Sequence, residues 1–263
     1  MHLADGPVRG RFFCLQTLRE DSQKVARFAP TLKKMIIQTI ILATRNAHKT
    51  SELAKMLGSQ FAVRNLRDFS NPPETIEDAP TFAGNATKKA VTLARWVGNS
   101  RLARENSYVL ADDSGLEVDA LAGAPGVLSA RFAGLDTGAP GNSPDADNNA
   151  KLLRLLTTHP RPWTARFRCV LAFTPIPAPS PSGSSPTCYL DEAELSTTIF
   201  DGACEGQIIP DARGAHGFGY DPLFIPNGHT QTFAELGDDV KNQISHRARA
   251  MQKLQAAITG KVS

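Results

Sequence analysis

Residues 36–43 read Ile-Ile-Gln-Thr-Ile-Ile-Leu-Ala, and this apolar run stops at Thr44-Arg45-Asn46. A short apolar run bounded by polar residues is the pattern of a strand buried in a core. Gln38 and Thr39 interrupt it, and it falls far short of the ~20 apolar residues that a bilayer span requires. Helical spacing follows at once, over residues 47–57. A buried strand feeding directly into a helix places the chain among proteins that pack helices on a sheet.

The rest of the pattern extends that frame. A second helix is expected over 81–97, with Phe82, Ala86, Ala90, Leu93, Ala94 and Val97 on its apolar side. Residues 108–111 read as a short strand ending in the turn formers Asp112-Asp113-Ser114-Gly115. A helix is expected over 147–156, capped by Asp147 or Asn148. From Ala165 the signal changes to strands, over 165–173, 189–201 and 206–209, and a last helix covers 245–258. Residues 174–186 are rich in Pro and Ser and read as an exposed, mobile hairpin connection. There is no internal repeat, and the succession implies a mixed α/β protein with one long sheet.

Charge separates the chain into two parts. Residues 1–35 carry seven Lys/Arg and three Asp/Glu, a balance of +4. The whole chain is +3, so the remainder, with 22 basic and 23 acidic residues, is −1. The basic character thus comes from the first segment and gives no support to a nucleic-acid-binding body. That segment lacks the apolar core of a secretory signal and any sustained periodicity. Residues 1–34 are read as a flexible extension or an upstream-start artefact, and the functional domain as 35–263. Cys14, Cys169, Cys188 and Cys204 are widely spaced without a CxxC pair. They read as buried or indifferent thiols in a reducing compartment.

Four polar clusters have little reason to exist for folding alone. Thr44-Arg45-Asn46-Ala47-His48-Lys49 sits at a strand-to-helix junction, where backbone amides, a hydroxyl and a lysine form a phosphate cradle. A capped helix with surface cations would read the same way. Asp112-Asp113 follows an apolar strand, and neighbouring carboxylates that are partly buried need a cation or donors to stay ionised. Hard oxygens of this kind suit Mg2+, with Glu77 as a further ligand across space, although an exposed Asp-Asp-Ser-Gly turn is also consistent. Asn85 and Lys89 lie four apart on one face of the second helix, a spacing that a solvated face produces too. The fourth cluster is Gly217-Phe218-Gly219-Tyr220-Asp221-Pro222, Lys241 and Ser245-His246-Arg247. Glycines flanking Phe218 and Tyr220 suit backbone held close to a flat ligand, or else a hairpin with two core aromatics. His246 and Arg247 fall in a first helical turn, where a cation opposes the macrodipole and calls for an anion.

Taken together these clusters resemble the inosine/xanthosine triphosphate pyrophosphatase family. The resemblance is carried by residues 44–49, by Thr81-Phe82-Ala83-Gly84-Asn85-Ala86 with Lys89, and by residues 111–119. It continues through residues 123–131, 217–222 and 245–247 and is collinear from about Ile36 to the last helix. It implies an elongated α/β fold with a long mixed sheet, flanking helices and two lobes around a central substrate cleft, forming a cytoplasmic homodimer. The implied activity is hydrolysis of noncanonical purine nucleoside triphosphates (ITP, dITP, XTP) to the monophosphate and pyrophosphate. In that reading Thr44, Arg45, Asn46, Ala47, His48, Lys49 and Lys89 hold the triphosphate. Glu77, Asp112 and Asp113 hold Mg2+, Asp113 is also the base on the attacking water, and Ser114 touches substrate. Phe218, Gly219, Tyr220, Asp221, Lys241, His246 and Arg247 enclose and read the purine. Arg45 stands where many members of that family have Gly, and the Pro/Ser stretch lies outside every motif. A related pyrophosphatase for pyrimidine or modified nucleotides, or a catalytically silent nucleotide-binding protein, would carry much of the same pattern.

Overall fold

The computed structural model describes residues 39–103, 106–177 and 196–260. The segment 1–34 and most of the Pro/Ser-rich stretch lie outside the described residues, as do Cys14 and Cys188. The first described strand, β1 (Thr39–Leu42), is buried along its whole length. It leads into α1 (Ala47–Leu57), then β2 (Ala62–Asn65), α2 (Phe82–Asn99) and β3 (Ser107–Val118). After α3 (Asp145–Leu156) come β4 (Trp163–Pro175), β5 (Thr198–Ile208) and β6 (Phe224–Pro226). Two consecutive helices, α4 (Phe233–Ile244) and α5 (His246–Thr259), complete the described chain.

The strands form one mixed sheet in the order β2-β1-β3-β4-β5-β6. β1 runs parallel to both its neighbours, and β3, β4, β5 and β6 pair antiparallel. Each face is covered, which is why β1 is apolar on both sides rather than alternating. On one face Ile40, Leu42, Leu110 and Leu171 pack against Leu53 and Leu57 of α1 and Met251 and Leu254 of α5. On the other, Ile41, Val109, Ala111 and Val170 pack against Phe82, Ala86, Ala90, Leu93 and Val97 of α2, the apolar side expected for that helix. A third cluster surrounds Leu116, Val118 and Phe167, with Leu152 of α3 and Phe233 of α4.

The structure corrects the expected short strand at 108–111. β3 continues through Asp112-Asp113-Ser114-Gly115 because β4 pairs with it residue for residue as far as Val118 opposite Ala165. Gly115 serves a close approach here and not a turn: a Cβ would overlap the Gly126 carbonyl and crowd the Ser129 hydroxyl. The strands expected separately at 189–201 and 206–209 prove to be parts of one strand, β5, which runs unbroken from Thr198 to Ile208. Neither Asp147 nor Asn148 caps α3, whose N-cap is Pro144. Asn148 is buried instead and ties down the neighbouring loop through Ala133, Ala130 and Ser143. Cys169 and Cys204 are buried free thiols.

Candidate active site

The phosphate-cradle residues occupy the N-terminus of α1. Asn46 caps the helix, its Oδ1 accepting the Lys49 amide at 3.1 Å, and the Thr44 hydroxyl accepts the Asn46 amide at 3.1 Å. Ala47 and His48 form the first turn, with no acidic side chain to compete for an anion there. This end of α1 opens onto a cavity of about 430 Å³ lined by Thr44, Arg45, Asn46, Lys49, Glu77, Lys89 and Asp113, among others. Arg45 reaches across its mouth to Glu74 at 2.9 Å, both side chains exposed.

Strand alternation splits the aspartate pair. Successive side chains on β3 point to opposite faces, so Asp113 faces α2 and Asp112 faces α1 and α5. Asp113 meets Lys89 at 2.9 Å and the Asn85 amide at 3.3 Å. Lys89 also reaches Glu77 at 3.1 Å, so one ammonium serves two carboxylates. Burial, joined by the repulsion of Glu77, outweighs Lys89 and pushes the Asp113 carboxyl up to about 6. Burial also acts on Glu77, but Lys89 keeps its pKa below the usual range.

Asp112 has a different environment. Its side chain has no exposed surface. Arg247 Nε donates to Oδ2 at 2.9 Å, Cys169 Sγ donates to Oδ2 at 3.2 Å, and Ser114 Oγ donates to Oδ1 at 2.9 Å. Lys49 donates to Oδ1 as well. Burial works against ionisation, and Arg247 and Lys49 overcome it, holding the carboxyl well below the usual range. Arg247 is paired on its other side with Glu52 of α1. Glu52 then meets Lys241 at 3.0 Å, and Lys241 meets Asp221 at 2.6 Å. Three carboxylates (Asp112, Glu52, Asp221) and three cations (Lys49, Arg247, Lys241) thus alternate through the interior. The anion that Arg247 needs at the start of α5 is internal to the protein.

This chain of charges connects the cradle to a second cavity of about 140 Å³. Phe218 lies at its wall, its ring 5.3 Å from His48 in a stacked arrangement and 4.5 Å beneath the Lys241 ammonium. Gly219 holds Phe218 in place, donating its N–H to Asp145 at 2.7 Å and accepting from Asn149 at 3.0 Å. The Asp221 carboxylate accepts the Phe218 amide at 2.9 Å, and the Tyr220 hydroxyl donates to the Ser129 carbonyl at 2.9 Å. His246 stacks on Phe167 at 4.9 Å, and its Nδ1 has no hydrogen-bond partner among the described residues. Burial, with Arg247 and Lys241 adding to it, keeps this imidazole neutral at ordinary pH.

All the sequence-predicted site residues therefore lie along one continuous path, but they are not equivalent. Glu77, Asp113 and Lys89 face the larger cavity as a group; Asp112 also lies in its wall, but its side chain has no exposed surface and is enclosed by its own donors. Among the described residues no three His, Cys, Asp or Glu side chains converge as a metal cluster. Two hard carboxylates sharing a single lysine do fit a divalent ion of the Mg2+ type, which takes one or two carboxylates and completes its shell with water and phosphate oxygens. Sequence reasoning missed Glu52 and Cys169 and left Asn85 on a solvated face, although Asn85 is buried. Glu52 had a usable signal: it falls three residues after Lys49 and next to the core residue Leu53.

Comparisons with known proteins converge on one family. The model of the Ham1 family matches residues 40–257. A dITP/XTP pyrophosphatase of Desulforamulus reducens is 44% identical over 216 residues, covering 81% of this chain and 92% of the relative. One of Exiguobacterium sibiricum is 45% identical over 222 residues, covering 84% and 96%. Among solved structures, a HAM1 protein from Coxiella burnetii aligns with a TM-score of 0.67 at 33% identity, covering 85% of this chain and all (100%) of that one. The Staphylococcus aureus Ham1 protein aligns at 0.65 and 31% identity, covering 86% and 100%.

Proposed function

Because the chain belongs to the Ham1 family, we propose that it hydrolyses noncanonical purine nucleoside triphosphates (dITP, ITP, XTP) to the monophosphate and pyrophosphate. Relatives named dITP/XTP pyrophosphatase that match over most of both chains support the substrate class. The observation that carries the chemistry is the sharing of Lys89 by Glu77 and Asp113 on a cavity that opens at the capped start of α1. Anions bind at such helix starts through free N–H groups and the helix dipole, so the triphosphate lies along residues 44–49.

Asp113 accepts a proton from a water that attacks the α-phosphorus. The water oxygen–phosphorus bond forms, the bond from that phosphorus to the bridging oxygen breaks, and pyrophosphate leaves. Lys49, Lys89 and Arg45 offset charge on the phosphate oxygens, the dominant contribution in chemistry of this kind. Glu77 and Asp113 would hold Mg2+, which supplies Lewis-acid neutralisation of the phosphates. Asp112, enclosed by Arg247, Lys49, Ser114 and Cys169, anchors these donors rather than binding the ion. The base lies against Phe218 within reach of Gly219, Tyr220, Asp221 and Lys241, and His246 and Arg247 read its 6-oxo edge. A site built around such a hydrogen bond rejects a base that leaves its groups unpaired.

Assaying pyrophosphate release from ITP, XTP, GTP and dTTP with Mg2+, for the chain and for Asp113→Asn, tests this reading. Turnover is expected on ITP and XTP and is expected to fall about 10²–10⁴-fold in the variant; a panel led by dTTP, or an unimpaired variant, refutes it. A homodimer and a cytoplasmic location complete the proposal, and sedimentation of the full chain checks the first.

A further inference from the structure

Asn85 has no part in the chemistry described so far, yet it is 1% exposed. A buried primary amide is costly unless its donors and acceptor are matched. Its Oδ1 accepts the Ala79 amide at 2.9 Å, and its Nδ2 donates to the Ala79 carbonyl at 3.3 Å and to Asp113 Oδ2 at 3.3 Å. The side chain thus grips both polar groups of one residue in the irregular segment ahead of α2, and spends its remaining hydrogen on a carboxylate of β3. Ala79 lies two residues beyond Glu77, whose carbonyl is itself held by Arg131 at 2.8 Å. Lys89, one turn further along α2, ties the Glu77 carboxylate to the Asp113 carboxylate.

We propose that Asn85 is a positioning residue that sets the distance between Glu77 and Asp113. Glu77 comes from a segment without regular structure, and Asp113 from the interior of a paired strand. Nothing in the hydrogen-bond ladder of the sheet reaches that segment. Asn85 supplies the connection: one end of its amide fixes the backbone that carries Glu77, and the other fixes the carboxylate facing it. Two oxygens that must coordinate one ion need their separation set before the ion arrives, and groups that orient ligands in this way commonly contribute 10–100-fold to metal affinity. This inference rests on the proposed roles of Glu77 and Asp113.

The test uses the full chain with Asn85→Ala, Asn85→Asp and, as a control, Val97→Ala. Val97 is a core residue near the far end of the same helix, with no polar partner. Melting temperature, Mn2+ binding by calorimetry without substrate, and the Mg2+ dependence of kcat and KM for ITP are measured on each. Asn85→Ala is expected to weaken Mn2+ binding and raise the half-saturating Mg2+ about tenfold, with little change in the KM for ITP once Mg2+ saturates. Asn85→Asp, which cannot donate and sets a third carboxylate beside Asp113, is expected to be no better. Val97→Ala should lower the melting temperature alone. If Asn85→Ala behaves as Val97→Ala does, losing stability while keeping metal affinity, the positioning role is wrong. If instead Glu77→Gln and Asp113→Asn leave Mn2+ binding intact, the underlying reading of the site fails, and this inference with it.

Discussion

Glu52 joins the two halves of the site. It is buried, and its two oxygens are divided between Lys241, whose ammonium lies over the Phe218 ring, and Arg247, which holds Asp112. Burial alone would raise its pKa; Arg247 and Lys241 outweigh that and lower it from the usual 4.5. A carboxylate depressed on folding adds stability above its unfolded pKa and loses it as pH falls through the folded one. Glu52 therefore stabilises the fold fully at neutral pH, and its contribution fades from about 4.5 downward. Glu52→Gln leaves two buried cations short of a counter-charge, a loss typically of about 3–5 kcal/mol. For a domain of this size that corresponds to a melting point lower by roughly 10 °C. Thermal unfolding at pH 7.5, 5 and 3.5 checks it: the gap from the unmodified chain should be widest at 7.5 and narrow at 3.5. An equal gap at all three values would mean that the carboxylate's charge is not what holds Arg247 and Lys241.

At the scale of elements, the site depends on α5 lying almost directly on β5. Gly202 permits this, since a Cβ there would overlap the His246 carbonyl and crowd the amide of Ala250. Both are rigid backbone atoms, so neither can yield as a side-chain end would. Gly202→Ala is expected to cost about 1–3 kcal/mol through overpacking. Because the overlap falls on His246 itself, it should also raise the KM for ITP, whereas a loss of stability with KM unchanged would place the strain elsewhere. How α5 meets β5 is invisible in one dimension, while the helix itself is plain from its spacing. The same division runs through the fold. Residues 47–57 and 81–97 were legible because their apolar positions repeat with the helical period, and both helices pack on those positions. The full length of β3 is hidden in the sequence because Asp-Asp-Ser-Gly is turn chemistry locally, and only the pairing with β4 overrides it. The helix α4 is not legible in the apolar spacing, although Thr232 and Glu235 form a capping box, because Gly237, at φ 75°, breaks the period five residues later. For the site, the residues singled out by type in the sequence come together in space along the two cavities. The alternation that sends Asp112 and Asp113 to opposite faces becomes readable only once the strand is known to continue.

The whole molecule divides by charge at about Met35. Every side chain assigned to binding or catalysis lies between Thr44 and Arg247, and the Ham1 match spans 40–257. The preceding 34 residues carry the +4 balance, against −1 for the rest. A triphosphate is polyanionic, so a cationic segment could act on its capture at long range without touching the site. Screening limits that contribution: the Debye length is about 8 Å at 0.15 M salt and about 30 Å at 0.01 M. A chain beginning at Met35 is therefore expected to keep its melting temperature and its kcat/KM for ITP at 0.15 M salt, with its isoelectric point moved below the 8.7 of the full chain. Any steering by the first segment would appear as a kcat/KM deficit confined to low salt, with kcat untouched. Stopped-flow or steady-state rates across that salt range, for both chains, separate these cases. A large loss of kcat at 0.15 M would instead make residues 1–34 part of the working enzyme, and the domain would have to be redrawn to include them.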